Sequence, residues 1–340
     1  MSSKQKEARK NIQEYCAKYR NDSSEEYLDF SNFIVLEKYN LVYCAVPKVA
    51  CTVWLRILAN LEGYNITKGV HKKTKDKLKI LSNYTTIDRR KILKSYKKFI
   101  FVREPFERLL SAYRDCFWGK FKRRTDTWKR YRKAIRFVLA KHSGLEIDVD
   151  ADNTTFEQFA TYLVLRWKES KSFEVHWREQ YKLCHPCQVQ YDYFGHYETL
   201  QDDAQFILKK NKLEDKVFFP EWQPTNTSSL MKSYYSTLSL LRIRQLWNIY
   251  KKDFELFGYT YPEAIQMVED NLVNDKLWRY YFISSVSNTF IIFFKKHNHI
   301  FFLVILDPLV EGRRGNGVLN QGLVNPAKVS NFLFNLISYQ

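Results

Sequence analysis

The sequence predicts an α/β fold with a central parallel sheet flanked by helices. Short apolar runs rich in Val, Ile, Phe and Tyr alternate with longer segments whose apolar residues recur at helical spacing, which is the pattern of parallel-sheet proteins. Two of the runs, LVYCAV and FIFV, are apolar throughout, and each is followed within three residues by a basic residue and a proline, just before a helical segment. With 340 residues, 45% of them hydrophobic and 16% aromatic, the chain is long enough for one large domain or two small ones around a sizeable core. Only 10 Gly and 8 Pro exclude a linker or low-complexity protein.

Taken in order, residues 1–30 read as a polar helix followed by a loop at NDSSEE. The opening MSSKQKEARKNIQEY has neither a signal-peptide pattern nor an apolar span. Phe33–Leu36 and Leu41–Val46 are strands, the second stopped by Pro47. Thr52–Leu61 has helical periodicity, and the basic, polar residues 65–98 read as loop plus a short helix. Phe99–Val102 is a strand, and Pro105 opens the next helix, where a missing N–H costs nothing. Residues 119–142 form a basic helical excursion, and Phe156–Arg166 an amphipathic helix. Tyr191–Phe194 is a short strand; Thr199–Lys210 and Leu238–Phe257 are helices, the last ending near Gly258. Past residue 265 the pattern changes. Phe290–Phe294 and Ile300–Leu306 are strongly apolar, but KKHNH separates them and neither reaches the ~20 residues of a bilayer span. The closing EGRRGNGVLNQGLVNPAKVSNFLF has no periodicity. Three parts follow: an N-terminal polar segment (1–30), a main domain (31–262) and a C-terminal tail without an assigned role (263–340).

Charge narrows the partner. The formal net charge is +18, and residues 68–141 carry 25 Lys/Arg against 6 Asp/Glu, so the surplus is local. Such a surplus suits a polyanion: nucleic acid, an anionic membrane or an acidic polysaccharide. No nucleic-acid recognition motif accompanies it, and a basic face with no partner is the bland alternative. The six cysteines are Cys16, Cys44, Cys51, Cys116, Cys184 and Cys187. Cys184-His185-Pro186-Cys187 is a lone CxxC without the two further ligands that zinc requires, so no metal is expected and a local or long-range disulfide is preferred. A Cys44–Cys51 bridge flanking the first strand–helix junction is one option that the sequence leaves open. Asn-x-Ser/Thr triplets at Asn21, Asn65, Asn83, Asn153 and Asn226 point weakly to a secretory compartment.

The chemistry concentrates at the two junctions. A strand that runs into a helix leaves unpaired N–H groups and a positive dipole end at the helix start, where a phosphate or sulfate fits. In VPKVACT, Lys48 adds a full charge, Ala50 keeps the backbone approachable and Thr52 offers a hydroxyl; no Walker pattern is present. Lys48 is expected to face solvent. At the second junction an arginine fork at Arg103 and the hydroxyl of Ser111 can clamp a terminal phosphate. The competing reading is a surface arginine paired with Glu104 or Glu107. For a general base, His176 in EVHW is the first candidate, with a structural histidine packed beside Trp177 as its alternative; Glu198 in HYETL is its rival, although Glu198 could instead hold a loop through backbone hydrogen bonds. Trp177 and Trp222 read as core, with sugar stacking as the alternative.

VPKVACT, FVREPFERLLSAYRD, HWREQYKLCHPC, YDYFGHYETLQDDAQFIL and IYKKDFELFGY occur in this order between about residues 12 and 260. Together they resemble the Golgi carbohydrate sulfotransferases of the HNK-1, chondroitin and dermatan 4-O-sulfotransferase type. The resemblance implies a P-loop-like sulfotransferase fold over 31–262, with 1–30 a stem remnant. It also implies the donor 3′-phosphoadenosine 5′-phosphosulfate. Pro47, Lys48, Val49, Ala50, Cys51 and Thr52 match the loop that binds the 5′-phosphosulfate, with Lys48 at the bridging oxygen; Arg103 and Ser111 match the 3′-phosphate site. Cys184 and Cys187 match a CxPC element of the family. The acceptor implied is an acidic glycan, first position 4 of N-acetylgalactosamine in chondroitin or dermatan, then the terminal glucuronate of the HNK-1 epitope or terminal N-acetylgalactosamine of N-glycans. A catalytically silent polyanion-binding protein on the same fold is the alternative. Golgi membrane anchoring with a luminal catalytic domain is implied as well. No span precedes the catalytic blocks here and about 80 residues follow FELFGY, which reads as an incomplete gene product or a diverged paralogue.

Overall fold

The computed structural model describes residues 3–18, 28–74, 76–118, 126–144, 148, 153–222, 226–276, 281–286, 289–296 and 299–306. Asn21, residues 119–125 of the basic excursion and the tail from 307 lie outside them. In chain order the elements are α1 (Ser3–Lys18), β1 (Phe33–Leu36), β2 (Leu41–Cys44), α2 (Cys51–Leu61), α3 (Val70–Thr74), β3 (Lys79–Ile80), α4 (Thr86–Ser95), β4 (Lys97–Val102), α5 (Pro105–Phe117) and α6 (Asp126–Ser143). Then come α7 (Phe156–Lys168), α8 (Gln180–Cys184), β5 (Tyr193–His196), α9 (Leu200–Lys210), α10 (Met231–Tyr235), α11 (Leu240–Phe257), α12 (Glu263–Lys276), β6 (Tyr281–Val286), β7 (Thr289–Lys296) and β8 (His299–Leu306). The chain divides into two units, Met1–Gln266 and Met267–Gln340.

The first unit is built on a five-stranded sheet of order β3-β1-β2-β4-β5. β2, β4 and β5 run parallel, with Tyr43 opposite Phe99 and Phe99 opposite Tyr193. The predicted parallel sheet is therefore its centre, and β1 and β3 add an antiparallel edge. The reason lies in the β1–β2 connection: Glu37–Tyr39 makes one tight turn and Asn40 takes a left-handed conformation at φ 49, which reverses the chain with no room for a crossover helix. The segment 65–98 is also more structured than expected, holding α3, β3 and α4.

Aromatic rings fill the space between the sheet and α2. The Trp54 ring centre lies 4.8 Å from Phe99 and 5.2 Å from Phe101, and Tyr43 stacks 4.8 Å from Phe99. A second cluster sets α5: Phe106 meets Tyr235 of α10 and Phe254 of α11, each at 5.2 Å. Fully burying a side chain of this kind is worth roughly 1.5–3 kcal/mol, so the two helices that start at the junctions are firmly held. Trp177 is core, packed on Phe117, Phe159 and Trp128.

The disulfides are Cys16–Cys187 and Cys44–Cys184, both long-range. The optional Cys44–Cys51 bridge is thereby corrected: Cys44 closes onto α8 across 140 residues, and Cys51 stays a buried thiol, as does Cys116. In α6, Arg132 and Arg136 are buried, so the basic excursion is less solvated than its sequence suggests; Arg136 Nη2 donates to Asn153 Oδ1 at 3.2 Å.

The second unit is a three-stranded antiparallel sheet of order β6-β7-β8. The two apolar runs of the sequence are its neighbouring strands, with Phe293 facing Phe302 in register. Among the described residues no helix is long and apolar enough to cross a membrane.

Candidate active site

The carboxyl ends of adjacent parallel strands are where α/β sheets bind ligands, and here those are β2 and β4. After β2 the loop takes an unusual path. Lys48 and Ala50 both have positive φ, 70 and 54, although neither is glycine. Each such residue costs on the order of 1–3 kcal/mol, and a turn of this kind curls successive N–H groups around an anion-sized concavity. Ala50 is the N-cap of α2 and makes no side-chain cap, and the positive dipole end of a helix start of this kind suits an anion. Val49 is fully buried, which leaves only its backbone for a ligand. Lys48 does not face open solvent as expected: its side chain is 16% exposed and its Nζ lies 3.0 Å from Asp115 Oδ2 of α5.

At the end of β4 the competing reading holds in its pairing with Glu107 and fails in placing the arginine at the surface. Arg103 is 1% exposed. Its Nη2 contacts Glu107 Oε1 at 2.7 Å, its Nη1 donates to the Lys48 carbonyl at 3.1 Å, and its guanidinium carbon sits 3.8 Å from the Tyr197 ring centre. The Gln180 side chain clamps its backbone, accepting from Arg103 N at 3.0 Å and donating to Arg103 O at 2.8 Å. The two junctions are thus one construction, joined by a side chain of the second to a carbonyl of the first. Ser111 lies two turns further along α5, half-buried. Glu104 caps α5 by accepting from Phe106 N and Glu107 N, and burial pushes its carboxyl up to about 8.

Sequence reasoning missed Arg108. It is 1% exposed and donates to the carbonyls of Pro47 at 2.9 Å, Arg178 at 2.8 Å and Val175 at 3.1 Å. It thereby fastens the β2–α2 loop to the segment carrying His176. Its only signal was a second arginine directly after Glu107, on a helix face shared with Glu104, Ser111 and Asp115 that spacing does not mark as buried. Burial lowers its pKa, with Asp253 among the carboxylates opposing that shift.

His176 Nδ1 lies 2.9 Å from Glu174 Oε1, and the ring meets Trp128 edge-on at 5.1 Å. A carboxylate only accepts, so the proton on that side belongs to Nδ1 and Nε2 of the neutral ring keeps a lone pair. Glu198 is exposed and engaged elsewhere, accepting from Glu104 N at 3.3 Å and from the Tyr259 hydroxyl at 3.0 Å.

Pro47, Lys48, Ala50, Cys51, Thr52, Arg103, Ser111 and His176 line a single cleft of about 440 Å³; Val49 and Glu198 are not on its wall. Its size falls within the range of small-molecule sites, roughly 300–1,000 Å³. Trp222 lines it as well, and so do two residues the sequence did not single out, Tyr197 and His71. Burial raises the pKa of the Cys51 thiol, which makes it a wall of the cleft rather than a nucleophile.

A strained loop carrying Lys48 and a buried arginine at neighbouring strand ends, sharing a cleft with a carboxylate-paired histidine, suit an α/β group-transfer enzyme. The model of the sulfotransferase family matches residues 31–260, and the chain belongs to that family. It is 34% identical over 248 residues to carbohydrate sulfotransferase 11 of Rattus norvegicus, covering 70% of each chain. It is 31% identical over 295 residues to carbohydrate sulfotransferase 12 of Mus musculus, covering 77% of this chain and 70% of that one. Carbohydrate sulfotransferase 8 of Homo sapiens is 31% identical over 274 residues, 76% of this chain and 63% of the relative. No solved structure matches.

Proposed function

We propose that the chain transfers a sulfuryl group from 3′-phosphoadenosine 5′-phosphosulfate to a sugar hydroxyl of an acidic glycan, without a metal. The acceptor position we favour is position 4 of N-acetylgalactosamine in chondroitin or dermatan. The observation that carries the reading is the meeting of Lys48, Arg103, Ser111 and His176 in one cleft. The names of the relatives support a carbohydrate acceptor, and the net charge of +18 suits an anionic one. Two long-range disulfides suit an oxidising compartment, in keeping with the Golgi lumen; membrane anchoring is carried over from the family resemblance.

The division of labour follows from charge. The bound donor supplies a sulfur centre with a phosphate leaving group. Lys48 and the N–H groups of the β2–α2 loop stabilise the charge that grows on the leaving 5′-phosphate oxygen, and they are in place before it develops. His176 Nε2 takes the proton of the attacking sugar hydroxyl, with Glu174 stabilising the imidazolium. Arg103 and Ser111 hold the 3′-phosphate, and Glu107 and Tyr197 keep the guanidinium from shifting. The bond from sugar oxygen to sulfur forms as the bond from sulfur to phosphate oxygen breaks.

The test is transfer of radiolabelled sulfate from the donor to a panel of desulfated glycans by the full chain. Label on chondroitin and dermatan is expected. Label only on terminal glucuronate or on N-glycans would move the acceptor. No label on any glycan, with no donor binding by calorimetry, would overturn the reading.

A further inference from the structure

We propose that His71 is a positioning residue for the donor: it holds the Thr52 hydroxyl so that the hydroxyl's own hydrogen is directed at the donor's phosphosulfate. The inference rests on the donor reading above. His71 Nε2 and Thr52 Oγ1 lie 2.8 Å apart, and both residues line the cleft. They come from different elements. Thr52 is in the first turn of α2, immediately after the anion-binding loop. His71 is on α3, a one-turn helix that starts after Gly69 at φ 65 and is pinned by the buried residues Val70 and Thr74. The hydroxyl of Thr74 is turned back to the Val70 carbonyl at 2.8 Å, so the polar group that α3 presents to Thr52 is the imidazole of His71.

A hydroxyl has one hydrogen and two lone pairs. If Thr52 donated to His71, its lone pairs would be left to face an anion, which is repulsive. With the proton on His71 Nε2, Thr52 accepts from the ring, and its own hydrogen, which has the neighbouring Cys51 thiol as its partner within the loop, can turn to a phosphate or sulfate oxygen. A bound anion therefore selects the second arrangement. His71 acts through Thr52, and the effect belongs to donor binding rather than to acceptor binding or proton removal. This separates it from His176, which is paired with Glu174 and not with the loop.

The experiment is a double-mutant cycle on the full chain with His71→Ala, Thr52→Val and the double variant. It reads kcat, the KM of each substrate, and the calorimetric Kd of 3′-phosphoadenosine 5′-phosphate. His71 is exposed, so melting temperatures are expected to stay at the wild-type value. A hydrogen bond to a charged group is worth roughly tenfold in binding. Each single variant is expected to raise the donor KM and the Kd about tenfold with the acceptor KM unchanged. The double variant should be no worse than Thr52→Val, because His71 acts through the hydroxyl which that variant already removes. His71→Gln, whose amide N–H can reach the same hydroxyl, should restore most of the affinity. Additive effects in the double variant, an unchanged donor KM in His71→Ala, or failure of His71→Gln to rescue would each overturn the proposal. Failure of the underlying reading looks different: the wild-type chain itself would then bind neither donor nor product.

Discussion

Lys48 sits in a backbone conformation that glycine would adopt without strain, at φ 70, yet the sequence places a lysine there. Strain of this kind persists where the position does something a glycine cannot. Lys48→Ala separates the two properties, because alanine keeps the Cβ and with it the strain while the ammonium is lost. The contact with Asp115 is partly exposed, and ion pairs of that kind contribute about 0–1 kcal/mol. The variant is therefore expected to melt close to the wild type while transfer falls about 10²–10³-fold, the usual cost of removing one donor to a developing charge. Radiolabel transfer and a thermal melt on the same preparation decide it, and an unchanged turnover would remove Lys48 from the mechanism. Lys48 and Arg103 stood out as candidates in the sequence because a full charge ends an apolar run at a strand–helix junction, whereas Ser111, inside α5, stood out only as a hydroxyl on the helix that follows and through the family resemblance. Arg108 and His71 did not. What each does depends on the distant carbonyl or hydroxyl it meets, and spacing along the chain carries no record of that.

At the scale of elements, the strands and helices around the two junctions lie within one or two residues of where periodicity put them; Thr52–Leu61 became Cys51–Leu61 and Leu238–Phe257 became Leu240–Phe257. What escaped was pairing direction at the sheet edge, which a turn at Asn40 decides, and the two-residue β3, too short to show alternation. Gly195 tests the parallel pairing of β5 with β4. A Cβ there would land inside the ring of Phe101, which itself packs against Trp54 of α2. Gly195→Ala is expected to cost about 1–3 kcal/mol of stability by overpacking, measured by denaturant unfolding. It should also weaken donor binding, because Tyr197 on Arg103 follows two residues later. The contact between α11 and α8 makes a second prediction. Asp253 is fully buried and accepts from Gln180 N at 2.7 Å and Tyr181 N at 2.8 Å, and burial pushes its carboxyl up to about 7 from 3.8. The folded state then binds a proton that the unfolded state releases, so this site's contribution is complete below pH 3.8 and is lost as pH rises toward 7. Unfolding free energies of wild type and Asp253→Asn, compared from pH 4 to 8, should show the wild type losing ground as pH rises. A constant difference would mean that Asp253 stays ionised throughout.

For the whole first unit, the question is what keeps a strained loop and a buried arginine in register when their supports come from residues 43–54, 97–117 and 173–198. The disulfides answer part of it. Cys44–Cys184 closes 140 residues and Cys16–Cys187 closes 171, and cross-links over loops of that length stabilise mainly by restricting the unfolded chain, typically by about 2–4 kcal/mol. The two differ in where they act. Cys44 is the last residue of β2, at the start of the β2–α2 connection, and Cys184 ends α8, whose first residue Gln180 clamps Arg103. None of the four cysteines lines the cleft, and Cys16 lies on α1, away from both the β2–α2 loop and the clamp on Arg103. The variants Cys44→Ser/Cys184→Ser and Cys16→Ser/Cys187→Ser are therefore expected to lose similar stability in denaturant, about 2–4 kcal/mol each. Only the first should also raise the donor KM, since it alone ties the loop after β2 to the clamp on Arg103. Measuring donor KM at a temperature where both variants remain folded separates the two effects. If both raised it equally, the bridges would be acting on the site through global stability alone, and the local role of Cys44–Cys184 would fall.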